Sequence, residues 1–184
     1  MNLLIETAPN YIVVRGKKIK INTSFNVWVE FFIACKSGCD NKIENSMLKI
    51  FEEIPDASAE EIIVECMHWL FNESTNTAKI NNVEKSNTSA PFDFEIDGNV
   101  IYCELWEYFP HLMQKGISYH EGMEFIKILM HNDKTMLWHR AFARTGDFSK
   151  MDKEQKKYWQ KQKVIFTIPN SSQQNIDDVL ATAF

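Results

Sequence analysis

Cys35-Lys-Ser-Gly-Cys39, followed by Cys66 and His68, supplies thiols and an imidazole of the kind that hold zinc in this 184-residue chain. The first pair has a spacing that zinc half-sites use. The second does not. Two residues along a helix turn through roughly 200°, so a Cys66 that faces a core leaves His68 pointing away from it. Cys35, Cys66 and Cys103 fall in helical stretches, where cysteine acts as a small buried apolar side chain rather than as part of a disulfide framework. His111, His120, His131 and His139 are scattered, with no HExxH and no acid or thiol at a diagnostic spacing. A general base needs geometry as well as a suitable pKa, and the spacing offers none. GxxxxGK[ST], GxGxxG and GxSxG loops are absent. No catalytic, cofactor-binding or metal-ligating residues are expected, and the chain is read as a non-enzyme.

Charge patterning is more informative. Lys153, Lys157 and Lys161 recur at i, i+4 and i+8, and Lys156 and Lys163 widen the stripe, with Tyr158, Trp159 and Phe166 alongside. The ordinary meaning of such a stripe is a solvated helix face. Its functional meaning is a dock for an acidic helix or tail. Lys153, Lys156, Lys157, Tyr158, Trp159 and Lys161 are therefore the candidate protein-binding residues. Basic residues with aromatics also suit single-stranded nucleic acid, but a formal net charge of -5 argues against nucleic acid as the main partner.

The elements that position these residues follow from periodicity. Tyr11 to Ile21 reads as a β-hairpin turning at Arg15-Gly16-Lys17, with Gly16 at positive φ. A lone ribbon is marginal and must lie on helices. Asn22, Thr23 and Ser24 are good caps for a helix burying Phe25, Trp28, Phe31, Phe32 and Cys35, ended by Ser37-Gly38. A second helix is expected over Asp40 to Glu53, broken by Pro55. A third opens on the capping box Ser58-Ala59-Glu60-Glu61 and buries Ile62, Ile63, Cys66, Trp69 and Leu70. Residues 72–91 are polar and nearly free of large apolar groups, as expected of a flexible linker. Phe94, Ile101, Leu105 and Tyr108 mark a helix stopped by Pro110. Ser118 opens another before Met123, Ile126 and Met130, and Asp133 is the expected cap of the next, over Met136, Leu137, Arg140 and Ala141. The last helix runs from Asp152 to Phe166. Trp28, Trp69, Trp106 and Trp138 are expected in the core. The fold class is mainly α (α+β): bundle-like helical lobes with a small N-terminal β-hairpin. Its organisation is 1–71, hairpin plus helices; 72–91, linker; 92–168, C-terminal helical part; and 169–184, a mobile tail. No signal peptide or membrane span is expected, since the start lacks a basic, apolar leader and the apolar runs fall far short of the roughly 20 residues a span needs.

Several segments together resemble one family. Ile21-Asn22-Thr23-Ser24-Phe25 with Trp28 and Phe31 is similar to an INTDF-x-x-W-x-x-F opening, and Phe51 with Ile54-Pro55, then Trp69, fits the helical pair that follows. Phe94-Glu95-x-Asp97 with Ile101-Tyr102 is similar to FE-x-D-x-x-x-IY. Arg144-x-x-Asp147-x-Ser149-Lys150, then Asp152 to Tyr158, matches the most distinctive ending. In these features the chain resembles the bacteriophage Gp fifteen family, from tail-gene clusters of long-tailed phages and prophages of Gram-positive bacteria. It departs from the pattern at Pro110, at Tyr119 to Met123 and in a short loop at His131 to Lys134.

The resemblance implies a tail assembly chaperone in the cytoplasm of the bacterial host. Its implied partners are the tape-measure protein, whose helices it would keep soluble, and tail-tube subunits, with self-association a further expectation. A structural tail component retained in the virion is the alternative, and a metal-dependent enzyme the more distant one. Arg144 and Asp147, three apart, are expected to pin the turn before the basic helix by a charge-assisted bond, as a structural hinge.

Overall fold

Residues 9–71 and 90–169 are described by the computed structural model. The fold is mainly α, with one two-stranded hairpin and eight helices among the described residues. These form two compact units, one of residues 9–71 with 116–122 and the other of residues 90–115 with 123–169. The C-terminal part expected over 92–168 is thus not continuous, because 116–122 belongs to the first unit. The linker expected over 72–91, apart from Ala90 and Pro91, and the tail beyond Pro169 lie outside the described residues.

In the first unit, β1 (Tyr11–Val14) and β2 (Lys17–Lys20) pair antiparallel in the register Ile12 to Ile19. Alternation buries Ile12 and Val14 on the face toward the helices. Gly16 has φ 76°, as expected, and Arg15 also takes a positive φ of 48°. Two consecutive left-handed residues make a turn whose twist matches the strands. Arg15 is held there by the α3 (Ala59–Leu70) cap region: Glu61 accepts from its Nε and Nη2 at 3.2 and 2.6 Å, and the Asp56 carbonyl accepts from Nη1. The Arg15 hydrogen bonds, with those from Ser58, hold the Glu61 carboxyl down at about 2. Ser58 and Glu61 complete the expected capping box.

Trp28 of α1 (Phe25–Ser37) is the centre of this unit's core, with no exposed surface. It stacks on Trp69 with centroids 4.1 Å apart, meets Phe31 edge-on, and donates its indole N–H to the Asn22 carbonyl at 2.6 Å. Ser24 is the N-cap of α1 without a side-chain capping bond; Asn22 Oδ1 accepts from its N–H and hydroxyl instead. Gly38, left-handed, ends α1. The next helix, α2 (Asp40–Ile50), stops short of the expected Glu53. Phe51 turns extended and bridges to Ile21, so tertiary pairing ends the helix before Pro55 acts.

The segment 116–122 belongs to this unit, and its first residues, up to Ser118, form a strand-like strap. Phe25 N–H donates to the Ile117 carbonyl and Tyr119 N–H to the Thr23 carbonyl. Beyond it lies the first turn of α6 (Tyr119–Met130), opened by Ser118 as expected, with Glu121 accepting from the Ser118 N–H and donating its own N–H to the Ser118 hydroxyl. Its His120 Nε2 sits 2.9 Å from the Trp69 carbonyl oxygen. Gly122 faces the Phe25 ring, and a Cβ there would stand 2.6 Å from Cε2 and 2.9 Å from Cγ. Gly122→Ala is expected to lower stability by about 1 kcal/mol. The overpacking cost of roughly 1–3 kcal/mol exceeds the gain of roughly 1 kcal/mol in helix propensity. Chemical denaturation checks this, and a stabilised variant would show that the Phe25 ring yields freely.

In the second unit, α4 (Phe94–Tyr108) is capped by Asp93, which accepts from the Glu95 and Ile96 N–H groups. It buries Phe94, Ile101 and Leu105, whereas Tyr108 is exposed. Pro110 does double duty by following the end of α4 and opening α5 (Pro110–Lys115) at the position proline prefers. Thr135, not Asp133, caps α7 (Met136–Thr145): its hydroxyl accepts from Trp138 N–H while donating toward the Leu129 and Asn132 carbonyls. Glu104 completes that helix start by accepting from the Met136 and Leu137 N–H groups. Burial outweighs those bonds and pushes its carboxyl up. Asp152 caps α8 (Lys153–Ile165) as expected. Two of the four tryptophans expected in the core are not: Trp106 is 36% exposed and Trp138 half-buried. No helix among the described residues is long and apolar enough to cross a membrane.

Candidate functional site

Helix α8 has no buried residue, an unusual state for a helix of this length in a packed unit. Lys153, Lys157 and Lys161 lie along its outer face, and Val164, 77% exposed, continues the line at i+11. Tyr158, 47% exposed, and Ile165, 66% exposed, flank it, and exposed Lys156 and Lys163 form the other edge. Such a surface offers charge and apolar contact in one stripe, the combination that an acidic amphipathic helix would meet.

Trp159 plays a different part from the one expected. It is half-buried on the inner side of α8 and anchors the helix to α7 through a cluster of rings. It meets Phe142 edge-on at 4.8 Å and Trp138 at 6.0 Å, tilts against His139 at 4.7 Å, and stacks on Phe148. Tyr158 borders this cluster, its hydroxyl 3.4 Å from His139 Nε2. Of the aromatic pair predicted for binding, Tyr158 is presented and Trp159 holds it in place.

The second anchor is ionic. Asp97 of α4 is fully buried, as is Arg144 of α7 but for 2%. Arg144 donates to both Asp97 oxygens, at 2.5 and 3.0 Å, Arg140 adds a third bond at 2.8 Å, and the Asp93 N–H a fourth at 2.9 Å. Burial alone would raise the Asp97 carboxyl. The hydrogen bonds from Arg144, Arg140 and Asp93, with the Arg144 charge, outweigh it and hold the group below its usual range. The same Arg144 guanidinium donates from Nε to the Phe166 carbonyl at 2.6 Å and from Nη1 to the Pro91 carbonyl at 3.0 Å. Phe166 is the C-cap of α8, and its ring lies under the Arg140 guanidinium. One side chain thereby joins the start of α4, the body of α7 and the end of α8.

The hinge expected between Arg144 and Asp147 is not formed. Asp97 takes the guanidinium, and Asp147 accepts instead from the Ser149 N–H and hydroxyl at 2.8 and 3.0 Å, shaping the loop into α8. Those bonds hold the Asp147 carboxyl below its ordinary value. Asp97, absent from the predicted site, carried one sequence signal: an acid at i+3 from Phe94 and i−4 from Ile101, in the middle of an apolar helix face.

Of the residues of the zinc alternative, His68 Nδ1 lies 3.7 Å from Glu65 Oε2, and the cysteines differ in exposure. Cys35 and Cys66 are buried in the first unit, Cys39 caps α2 and is partly exposed, and Cys103 is exposed on α4. Burial pushes the Cys35 thiol up to about 12 and raises Cys66 well above its usual value. Among the described residues no three His, Cys, Asp or Glu side chains are grouped as ligands. A shallow groove of about 540 Å³ beside Ile128 is lined by Glu124, Lys127, His131 and Asp133. Its charges are partly engaged, Lys127 with Glu124 at 2.7 Å and His131 Nδ1 with the Lys127 carbonyl. Compared with known proteins, the chain matches no family model, no curated protein and no solved structure.

Proposed function

We propose that this protein is a non-enzymatic tail assembly chaperone, acting in the cytoplasm of a bacterial host and holding the helices of a tape-measure protein, and tail-tube subunits, until the tail polymerises. The observation that carries the reading is helix α8: exposed over its whole outer face, lined with lysines and exposed apolar groups, and fixed from beneath by Trp159 and Arg144. Holding a helix that cannot cover its own apolar face requires a surface of this kind, firm and partly apolar. The lysines select acidic segments and speed their capture. The resemblance of Phe94 to Tyr102 and of Arg144 to Tyr158 to the Gp fifteen family supports the specific clients. Those same segments supply Asp97, Arg144 and the first half of the stripe, Lys153, Lys156 and Lys157.

Co-expression with the tape-measure protein of the same gene cluster tests the reading. The wild-type chain is expected to raise the soluble yield of that client. The triple variant Lys153→Glu, Lys157→Glu, Lys161→Glu should lower its affinity by roughly tenfold or more, since three favourable charges become repulsive. An unchanged yield with the wild-type chain defeats the proposal. The protein's presence in purified particles by mass spectrometry would favour a retained tail component instead.

A further inference from the structure

The lysines of α8 find no acid within the packed units. Among the described residues no carboxylate pairs with Lys157, Lys161 or Lys163, and Val164 and Ile165 beside them are exposed. The point at which the chain leaves this helix is fixed. Arg144 holds the Phe166 carbonyl, the Thr167 hydroxyl donates to the Lys163 carbonyl at 2.6 Å, and Pro169 cannot continue the helix. From there the sequence runs on for 15 residues.

Those residues carry a pattern of their own. Ile176, Val179, Leu180, Ala183 and Phe184 recur at i, i+3, i+4, i+7 and i+8, a spacing that predicts one apolar helix face. Asn175 precedes it as a cap, and Asp177 and Asp178 fall in its first turn, where the dipole favours acids. Asp177 borders the apolar face and Asp178 stands behind it. No lysine, arginine or histidine occurs in 170–184. A helix of nine residues is marginal in water, so this one needs a surface to form on. The surface it suits is apolar and basic.

We infer that residues 176–184 dock as an acidic helix on the outer face of α8 of the same copy and hold the client's place until a client displaces them, a regulation that rests on the chaperone reading. Six residues, 170–175, reverse the chain, an ordinary length between antiparallel helices. Nine residues then span roughly 12–14 Å, about the length of α8 from Ile165 back to Lys157. In that register Ile176 lies against Val164 and Ile165, and Leu180 against the Lys161 stem. Asp177 enters the field of Lys161 and Lys163, and opposed macrodipoles favour the same orientation. So short a tether gives an effective concentration of order millimolar, enough for a weak contact to keep the face covered. Lys153 lies a further turn along and stays open, the first hold for an incoming acidic segment.

Hydrogen–deuterium exchange of the full chain, with no client present, measures the docking directly. The amides of 177–184 are expected to exchange about tenfold more slowly than in the isolated peptide 170–184, as a tail docked nine-tenths of the time requires. Lys157→Glu with Lys161→Glu should return them to the peptide rate, as should Val179→Ser with Leu180→Ser, whereas Lys153→Glu should leave them slow. A wild-type tail exchanging like the peptide overturns the inference. So does protection that ignores the lysine pair, or that appears only at high protein concentration, which would mean the tail of another copy. With tape-measure protein added, Val179→Ser with Leu180→Ser should bind it roughly tenfold more tightly than wild type, since the covered fraction is released. Equal affinity overturns the regulation. A chain that binds no client defeats the chaperone reading instead, and the exchange pattern still decides whether the tail is docked.

Discussion

Replacing Asp97 with alanine is expected to cost about 3–5 kcal/mol of folding stability, the penalty for stranding a buried charge. The carboxylate accepts four hydrogen bonds and faces two guanidiniums, and Arg144 is itself too buried to recruit water in its place. Urea denaturation followed by circular dichroism measures it. A loss below about 1 kcal/mol would mean that the buried ion pair does not form. The pH dependence carries the same signature. The folded carboxyl lies below its unfolded value of about 3.9, so its contribution is complete above that pH and disappears as pH falls through the lower folded value. Glu104 acts in the opposite sense. Its raised value gives stability that is present in acid and lost as pH rises from the unfolded carboxyl value to the folded one. Asp97→Ala should therefore flatten the acid limb of the stability curve as well as lower its plateau.

Trp28→Ala is the other large effect, expected at roughly 3–5 kcal/mol from lost burial and the cavity left behind. The ring has no exposed surface, stacks on Trp69, and satisfies the Asn22 carbonyl at the entry to α1. Trp28→Phe separates these causes. It retains most of the apolar volume but lacks the indole donor, so it should lose a smaller share, and the near-ultraviolet signal of the stacked indoles should vanish in both variants. If alanine costs no more than phenylalanine, the packing described for this core is wrong.

Much of this architecture was legible where one period dominates. The hairpin brings a strand alternation with a turn glycine, α1, α3 and α8 each bring a clear apolar or charged repeat with a helix-end signal, and Ser58 and Asp152 cap as their spacing implies. Legibility failed where distant parts decide. Phe51 ends α2 by pairing with Ile21, and the strap at Ile117 and Tyr119 completes a core begun at Thr23, contacts that no local pattern encodes. Trp106 lies outside the expected core because α4 carries apolar residues on more than one side, so periodicity does not separate its packed side from its open one. Asp133 and Thr135 are both acceptable caps. Thr135 prevails because its hydroxyl also reaches two carbonyls at the end of α6. At the site, the lysine stripe was readable and its support was not. Asp97 and Arg144 stand 47 residues apart, and a closer acid at Asp147 drew the arginine's assignment.

The ribbon at the start of the chain has a bearing on how the protein can aggregate. A two-stranded sheet leaves hydrogen-bonding groups open along its outer margins, an invitation for another chain to add a strand. Here β2 carries Lys17, Lys18 and Lys20 along such a margin, all solvated, and the clamp from Arg15 to Glu61 fixes the turn that sets which residues face inward. A foreign strand arriving there meets a picket of like charges on a frame that will not slip. The molecule thus discourages the uncontrolled, backbone-driven route to fibres.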